Sequence, residues 1–200
     1  TLLVSSAASD VYKRQIYPLP KEIVMEQINS ITTDLSPDIV KIGMLADLDI
    51  IEYISKKISN YKIVLDPVMV ATSGDVLVSD EVVSSIKNNL INKSFLITPN
   101  IYEAEILSEN KISCLDDQIE VGKNLLKLGC KHVLVKGGHG NSDIINDVLI
   151  TSSGDEYIFE SKKIISKNTH GTGCSLASAI ATNIGLGNDI KKSIKVSIEY

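Results

Sequence analysis

The sequence predicts an α/β protein whose mostly parallel sheet is covered by helices on both faces. Two observations support this prediction: short apolar runs recur along the chain, and amphipathic helical stripes separate most of them. In addition, strands as continuously apolar as these are typical of parallel sheets, which are buried on both faces. The chain has 200 residues, of which 44% are hydrophobic and 22% charged, as expected for one globular domain with a substantial core.

The helices are predicted where apolar side chains repeat at helical spacing. The first of them places Ile23, Val24, Ile28 and Ile31 on one stripe. The fourth ends where Gly129 can adopt the conformation that terminates a helix. In chain order, the predicted helices cover residues 21–35, 49–59, 80–90, 116–128, 171–184 and 189–200.

The strands are predicted where several apolar or β-branched residues follow one another without helical spacing. The last two flank residues 152–155, whose Gly154 favours a tight turn, so they should form an antiparallel hairpin at the edge of the sheet. In chain order, the predicted strands cover residues 39–42, 62–65, 95–97, 131–135, 144–151 and 156–160.

Residues 1–15 do not follow this pattern. They are rich in Ser and Ala, and Lys13 and Arg14 follow the short apolar stretch, which is the wrong order for a signal peptide. We therefore expect a non-native or disordered lead at 1–15 and a single domain at 16–200. The last helix is still amphipathic at Tyr200 and lacks a cap, which predicts that the chain is cut there.

Charge and cysteine content disfavour several classes of function. The formal net charge is −5 and no long basic block occurs, so nucleic acid is not an expected partner. No apolar run approaches the ~20 residues that cross a bilayer, so no membrane partner is expected. Cys114, Cys130 and Cys174 lack the spacing of a disulfide framework or zinc site, which favours a reducing cytoplasm.

The residues that could perform chemistry follow the predicted strands. Active sites of open α/β sheets lie beyond the carboxyl ends of the strands. Asp66 and Glu103 lie at two such ends, where carboxylates can hold Mg²⁺ directly or through its waters; each could equally be a helix cap or a surface acid. Lys136 ends a buried strand, where it is well placed to contact a phosphate.

The strongest single motif is the glycine-flanked turn at 168–175, which leads into a helix of small residues. Gly171 and Gly173 let several backbone N–H groups converge, and the positive end of the helix favours an anion. A phosphate fits this turn, although a close-packed helix start without a ligand is the alternative. Walker A is excluded because its Lys-Ser/Thr pair is absent, and Leu176 replaces the third glycine of a Rossmann fingerprint.

Cys174 lies in the first turn of the same helix. A helix dipole lowers the pKa of a thiol there from its free value of ~8.5, so Cys174 is a candidate proton acceptor or anion-site residue. The alternative is a small buried hydrophobic residue. Cys114 and Cys130 lack such a position and are expected to be structural.

Taken in order, five segments closely resemble the hydroxymethylpyrimidine/phosphomethylpyrimidine kinases, the thiamine-pathway members of the ribokinase superfamily. The segments are KIGML at 41–45, DPVMVA at 66–71 with SGD at 73–75, TPN at 98–100 with EAE at 103–105, VKGGH at 135–139, and NTHGTGC at 168–174. The resemblance implies a ribokinase-like three-layer sandwich. It also implies an ATP- and Mg²⁺-dependent kinase that phosphorylates 4-amino-5-hydroxymethyl-2-methylpyrimidine and then its monophosphate, giving the diphosphate used in thiamine synthesis.

The resemblance assigns roles to the glycine-rich turn at the start of the last motif's helix. Gly171, Thr172 and Gly173 would form the anion hole over the γ-phosphate of ATP. Cys174 would be the base beside the hydroxymethyl group of the substrate.

The resemblance also assigns the contacts of the nucleotide, the metal and the pyrimidine. Lys136 would contact ATP phosphate, Asn100 and Glu103 would organise magnesium through water, and Asp66 would act at both the metal and the phosphate. The pyrimidine pocket would be lined by three residues: Gly43, Met44 and Val68.

Two other functions stay open. Most of the superfamily carries aspartate at the position of Cys174, so the cysteine favours the pyrimidine kinases. Some relatives with cysteine accept pyridoxal, however, which makes a pyridoxal kinase the first alternative. The family's glycine-rich opening and its closing helix are missing, so we expect a fragment truncated at both ends, and a non-catalytic nucleotide-binding fragment is the second alternative. A homodimer is expected of the full-length parent.

Overall fold

The computed structural model describes residues 19–70, 76–138, 143–164 and 171–199. Several predictions fall outside these ranges: the lead at 1–15, the SGD segment at 73–75 with Ala71, the loop residues 139–140 and the motif residues 168–170.

The described ranges contain seven α-helices and six strands. The helices are α1 (Lys21–Asp34), α2 (Leu48–Lys57), α3 (Asp80–Asn89), α4 (Ile101–Ser108), α5 (Leu115–Leu126), α6 (Thr172–Gly185) and α7 (Ile190–Glu199). The strands are β1 (Ile39–Ile42), β2 (Lys62–Leu65), β3 (Leu96–Ile97), β4 (His132–Val135), β5 (Ile144–Thr151) and β6 (Glu156–Lys162). No helix in these ranges is both long enough and apolar enough to cross a membrane.

The six strands form one sheet in the order β1-β2-β3-β4-β5-β6. β1 to β4 are parallel, whereas β5 is antiparallel to β4 and β6 to β5. Helices connect the parallel neighbours, because parallel strands need a long crossover connection. The predicted mostly parallel sheet with an antiparallel edge hairpin is therefore confirmed.

Helices cover both faces of the sheet and give the fold three layers. Ile63 of β2 belongs to a core shared with α1 to α5, whereas its neighbour Val64 belongs to a second core formed with α6 and α7. Successive residues of a strand point to opposite faces, which separates these neighbours. On the second face, Ala177 of α6 and Ile194 of α7 are fully buried against the sheet.

Helix α4 is the element that apolar spacing did not predict. It begins directly after Asn100, whose Oδ1 accepts the Glu103 N–H at 2.9 Å, while Glu103 Oε2 accepts the Asn100 N–H at 2.8 Å. This reciprocal pair is a capping box, which satisfies two backbone donors at the start of the helix. It fixes the position of a short helix directly after β3.

Candidate active site

Polar side chains continue the apolar rows of the sheet on the face that α6 covers. Val64 and Leu134 are buried against α6 and α7. Asp66 lies two positions after Val64, and Lys136 lies two positions after Leu134. Residues two apart in an extended chain point to the same side. Asp66 and Lys136 therefore meet on the α6 side, at the carboxyl ends of the parallel strands.

The centre of the site is a buried ion pair. Lys136 Nζ donates to Asp66 Oδ1 at 2.8 Å, and the Thr98 hydroxyl donates to the same oxygen at 3.1 Å. The Asp66 side chain is 1% exposed and that of Lys136 13%. Burial alone would lower the pKa of Lys136, but Asp66 and Glu103 outweigh this effect and raise it. Lys136 therefore stays charged in a nearly dry setting.

The N-terminal turn of α6 lies against this pair. A Cβ atom on Gly173 would stand 3.0 Å from Lys136 Nζ, so the missing side chain lets the ammonium approach the helix backbone. Gly171 precedes the helix with φ 76°, a conformation that favours glycine. The first N–H groups of a helix have no partner within it. These donors and the Lys136 ammonium together can bind an anion, as the motif predicts.

Cys174 lies in the first turn of α6, near the charged pair, but the predicted lowering of its pKa is wrong. Burial raises the pKa of the thiol, and the negative charge of Asp66 adds to this effect. Lys41 and Lys136 act in the opposite direction without overcoming it. The dipole argument considered the helix alone, whereas burial of the sulfur and, after it, the nearby Asp66 carboxylate determine the direction of the shift.

Glu103 connects two of the backbone segments that form the site. Its side chain is buried, Oε2 accepts the Asn100 N–H at 2.8 Å, and Oε1 accepts the Met69 N–H at 3.4 Å. Burial raises its pKa to about 7, which the charge of Lys136 partly opposes. The carboxyl group thus links the segment after β2 to the segment after β3. The Asn100 side chain is itself occupied by the helix cap.

The residues predicted to contact the pyrimidine follow β1 and β2. Gly43 and Met44 come directly after β1 and are half-buried, and Met44 packs against the core on the other face of the sheet. Val68 is also half-buried, and its N–H donates to the Asp66 carbonyl at 2.8 Å. Gly43 lies beside the charged centre, because a Cβ there would stand 3.0 Å from Lys41 Nζ.

Two residues of the site were not predicted as functional. Lys41 Nζ lies 4.0 Å from Asp66 Oδ2; the residue belongs to the KIGML segment, but the resemblance assigned it no role. The sequence pattern that could have identified Lys41 is its position two residues after Ile39, whose side chain faces α6. Asp66 has the same relationship to Val64. Asp147 of β5 is buried and accepts the Gly137 N–H at 2.8 Å, which anchors the residue after Lys136.

One oxygen of the site is suited to a magnesium shell. Asp66 Oδ2 is buried and accepts no hydrogen bond from the residues that the structure describes. A buried carboxylate oxygen without a donor is costly, and a hydrated Mg²⁺ ion would supply one through its water or bind it directly. The described residues contain no group of three or more His, Cys, Asp or Glu that could enclose a metal alone.

The chain is similar to several curated proteins. It is 40% identical over 189 residues to the hydroxymethylpyrimidine/phosphomethylpyrimidine kinase of Bacillus subtilis, covering 92% of this chain and 69% of that protein. It is 38% identical over 188 residues to a thiamine biosynthesis bifunctional protein of Geobacter sulfurreducens, covering 92% of this chain and 38% of that protein. The chain thus spans about two thirds of the first relative and a smaller part of the second.

Solved structures agree with these relatives. The phosphomethylpyrimidine kinase of Clostridium difficile matches with a TM-score of 0.78 at 34% identity, over 92% of this chain and 75% of that one. An ADP complex of Bacillus subtilis pyridoxal kinase matches with a TM-score of 0.84 at 30% identity, over 93% and 70%. A sequence model of the phosphomethylpyrimidine kinase family matches residues 2–200. The strand-end charges, the glycine turn of α6 and these similarities agree, and the chain belongs to the phosphomethylpyrimidine kinase family.

Proposed function

We propose that the protein containing this chain transfers the γ-phosphoryl group of ATP to 4-amino-5-hydroxymethyl-2-methylpyrimidine and then to the resulting monophosphate, in thiamine biosynthesis. The observation that carries this proposal is the close approach of Lys136 Nζ to Gly173 at the start of α6, where an added Cβ would stand 3.0 Å from the ammonium. It supports a site where one ammonium and several backbone N–H groups face the same phosphate.

The residues on the donor side would hold ATP and disperse the charge that develops during transfer. Gly171, Thr172 and Gly173 would offer N–H groups to the γ-phosphate, and Lys136 would offer its ammonium. Such preorganised charge is the main contribution of a protein to phosphoryl transfer, since the nucleotide and its metal already provide the reactive group. Asn100 and Glu103 would hold the segment after β3 in register with Lys136.

Magnesium would bind beside Asp66 and the phosphates, where it would neutralise phosphate charge. The charges of Lys41 and Lys136 favour the thiolate form of Cys174. As the thiolate, Cys174 would take the proton that the hydroxymethyl group releases as its oxygen attacks phosphorus. Asp66 would thus serve the metal directly, whereas Glu103, whose oxygens accept backbone N–H groups, would position the loops around it.

Gly43, Met44 and Val68 would line the side of the site that holds the pyrimidine. The three free cysteines fit a reducing cytoplasm as the place where the protein works. The homodimer expected of the full-length parent stays a prediction.

The test is to assay the full-length protein with ATP and Mg²⁺ against three acceptors: the hydroxymethylpyrimidine, its monophosphate and pyridoxal. We expect ADP release with both pyrimidines and weaker transfer to pyridoxal, and phosphorus NMR identifies the products. Pyridoxal as the preferred acceptor would assign the enzyme to the pyridoxal kinase activity that the Bacillus subtilis structure represents. Binding of ATP by calorimetry without transfer to any acceptor would instead indicate a non-catalytic nucleotide-binding protein.

A further inference from the structure

The Asp66 carboxylate lies between two ammonium groups, of which the proposed mechanism uses one. Lys136 Nζ binds Oδ1 at 2.8 Å, and Lys41 Nζ lies 4.0 Å from Oδ2. Lys41 comes from β1, at one edge of the sheet, and its side chain is 20% exposed. The site therefore has a second cation, which reaches it from the strand that precedes Gly43 and Met44.

Lys41 is less fully paired than Lys136. A separation of 4.0 Å is too long for a hydrogen bond, so Asp66 attracts the Lys41 ammonium without binding it directly. Within the described residues, Asp66 is the one carboxylate within 4.0 Å of Lys41 Nζ. A mostly buried cation without a hydrogen-bonded anion is costly, and an anionic ligand would relieve that cost.

The two lysines lie on different sides of the site. Lys136 Nζ lies against Gly173, at the helix start proposed to hold the γ-phosphate. Lys41 Nζ lies against Gly43, in the segment proposed to contact the pyrimidine. Lys41 is also close enough to Cys174 for its charge to favour the thiolate. Its ammonium therefore faces the place where the acceptor group would meet the phosphoryl group.

The two proposed reactions need different help at that place. In the first, the hydroxyl oxygen forms a bond to the γ-phosphorus, the bond to the bridging oxygen breaks, ADP leaves with the electron pair, and the hydroxyl proton goes to the Cys174 thiolate. In the second, the attacking oxygen belongs to a phosphate monoester, whose second pKa of about 6 leaves it largely ionised at neutral pH. No proton must then be removed, but an anion must approach the anionic γ-phosphate.

We propose that Lys41 binds the phosphate of the monophosphate acceptor and is required more for the second phosphorylation than for the first. This inference rests on the proposed function. The ammonium offsets the repulsion between acceptor and donor phosphates, a charge problem that the neutral alcohol of the first reaction does not present. Cys174 has the opposite role, because it accepts a proton only in the first reaction.

The experiment compares Lys41→Gln, Cys174→Ala and wild-type full-length protein, with each pyrimidine assayed separately at saturating ATP. In Lys41→Gln, kcat/KM for the monophosphate should fall about tenfold or more relative to that for the alcohol, mainly through KM. In Cys174→Ala the alcohol reaction should be affected more. Lys41→Arg should restore most of the monophosphate reaction because it keeps the charge. Lys62→Gln, at the exposed start of β2, is the matched control.

The outcomes separate this inference from the function on which it rests. Equal losses for both acceptors in Lys41→Gln would mean that Lys41 acts on the transferring group, and no loss would mean that it contacts neither; either result overturns the inference alone. A wild-type protein that phosphorylates neither pyrimidine overturns the proposed function and this inference with it. If Lys41→Gln does not fold, Lys41→Met, which keeps the length of the side chain, provides the same comparison.

Discussion

Lys136 Nζ lies 2.8 Å from Asp66 Oδ1, although 70 positions separate the two residues in the chain. The pair joins the ends of β2 and β4, and Thr98, which follows β3, donates to the same carboxylate oxygen. The Asp66 carboxylate thus connects the carboxyl ends of three strands. The same pair also faces the proposed phosphate site. Mutations of the pair should therefore affect both stability and activity, and single and double variants can separate the two effects.

Removing one partner of this pair should cost more stability than removing both. Asp66→Asn leaves the Lys136 ammonium buried without its carboxylate, and we expect a loss of about 3 kcal/mol in the free energy of unfolding. The double variant Asp66→Asn with Lys136→Met should recover most of that loss, yet remain inactive. Urea unfolding and the kinase assay measure the two effects.

An exposed pair provides the control for this prediction. Lys56 and Glu52 form a surface ion pair on α2 with both side chains more than half exposed. Lys56→Met should change the free energy of unfolding by less than about 0.5 kcal/mol. Strictly additive losses in the Asp66 and Lys136 double variant would contradict the interpretation of a coupled buried pair.

Two cysteines should respond to alanine in opposite ways. Cys174→Ala should reduce kcat for the hydroxymethylpyrimidine about 100-fold or more, because the proton acceptor is lost, with little change in stability. Cys130 is 5% exposed and burial raises its pKa to about 12, so it serves as a packed apolar residue. Cys130→Ala should lower stability by roughly 1 kcal/mol and leave kcat nearly unchanged.

Thermal unfolding and steady-state kinetics on both cysteine variants provide the comparison. A fall in activity of Cys174→Ala that simply follows its unfolded fraction would argue against a chemical role for the thiol.

A methyl group on Gly173 should disturb the donor side of the site. The added Cβ would stand 3.0 Å from Lys136 Nζ, so the ammonium must move by a few tenths of an ångström from its position beside the helix start. We expect Gly173→Ala to lower kcat/KM for ATP about tenfold while α6 stays folded. Thr182→Ala, farther along the same helix, should leave the kinetics for ATP unchanged. Wild-type values in Gly173→Ala would show that this close approach is not needed for nucleotide binding.

Glu103 should make stability depend on pH. Burial raises its pKa to about 7, whereas a glutamate in an unfolded chain titrates near ~4.3. Between these values the folded protein keeps a proton that the unfolded chain has released, so the free energy of unfolding falls as pH rises. The fall attributable to Glu103 should be about 3 kcal/mol from pH 4.5 to 7.

Glu103→Gln should weaken this pH dependence, since glutamine can keep the capping acceptor without titrating. Denaturant unfolding of both proteins at pH 5 and pH 7 isolates the contribution of Glu103. The raised pKa of the buried Asp147 acts in the same direction in both proteins and cancels in the comparison. Parallel pH profiles for the two proteins would rule out Glu103 as the source.

The sequence predicted the sheet and most helices because each has a local periodic signal. Helix α1 was predicted at 21–35 and lies at Lys21–Asp34. Helix α4 was missed because its eight residues are apolar on several sides and present no stripe, although Asn100 and Glu103 have the spacing of a capping box. Apolar spacing indicates which side of a helix is buried, whereas a capping pattern indicates only where the helix begins.

The candidate site was predicted as a set of segments, and the contacts within it could not be. That Lys136 pairs with Asp66 depends on the order of the strands, which no local pattern specifies. The pKa of Cys174 was predicted in the wrong direction because the burial of the thiol, and the Asp66 charge that adds to it, arise only when α6 packs against the sheet. Lys41 was given no role because its proximity to Asp66 follows from the pairing of β1 with β2, which no local pattern specifies.

Lys41, Asp66 and Lys136 each lie two positions after a residue that faces α6, and this arrangement has a consequence for engineering. Side chains alternate between the two faces of a strand, so each charged residue faces the same side as the core residue two positions before it. Inserting or deleting one residue in a strand would therefore turn side chains to the wrong face. The loops that contain Gly43 and Val68 are outside that constraint. Grafting those loops from a related kinase is therefore the practical route to a new acceptor, with the phosphate-handling charges left in place.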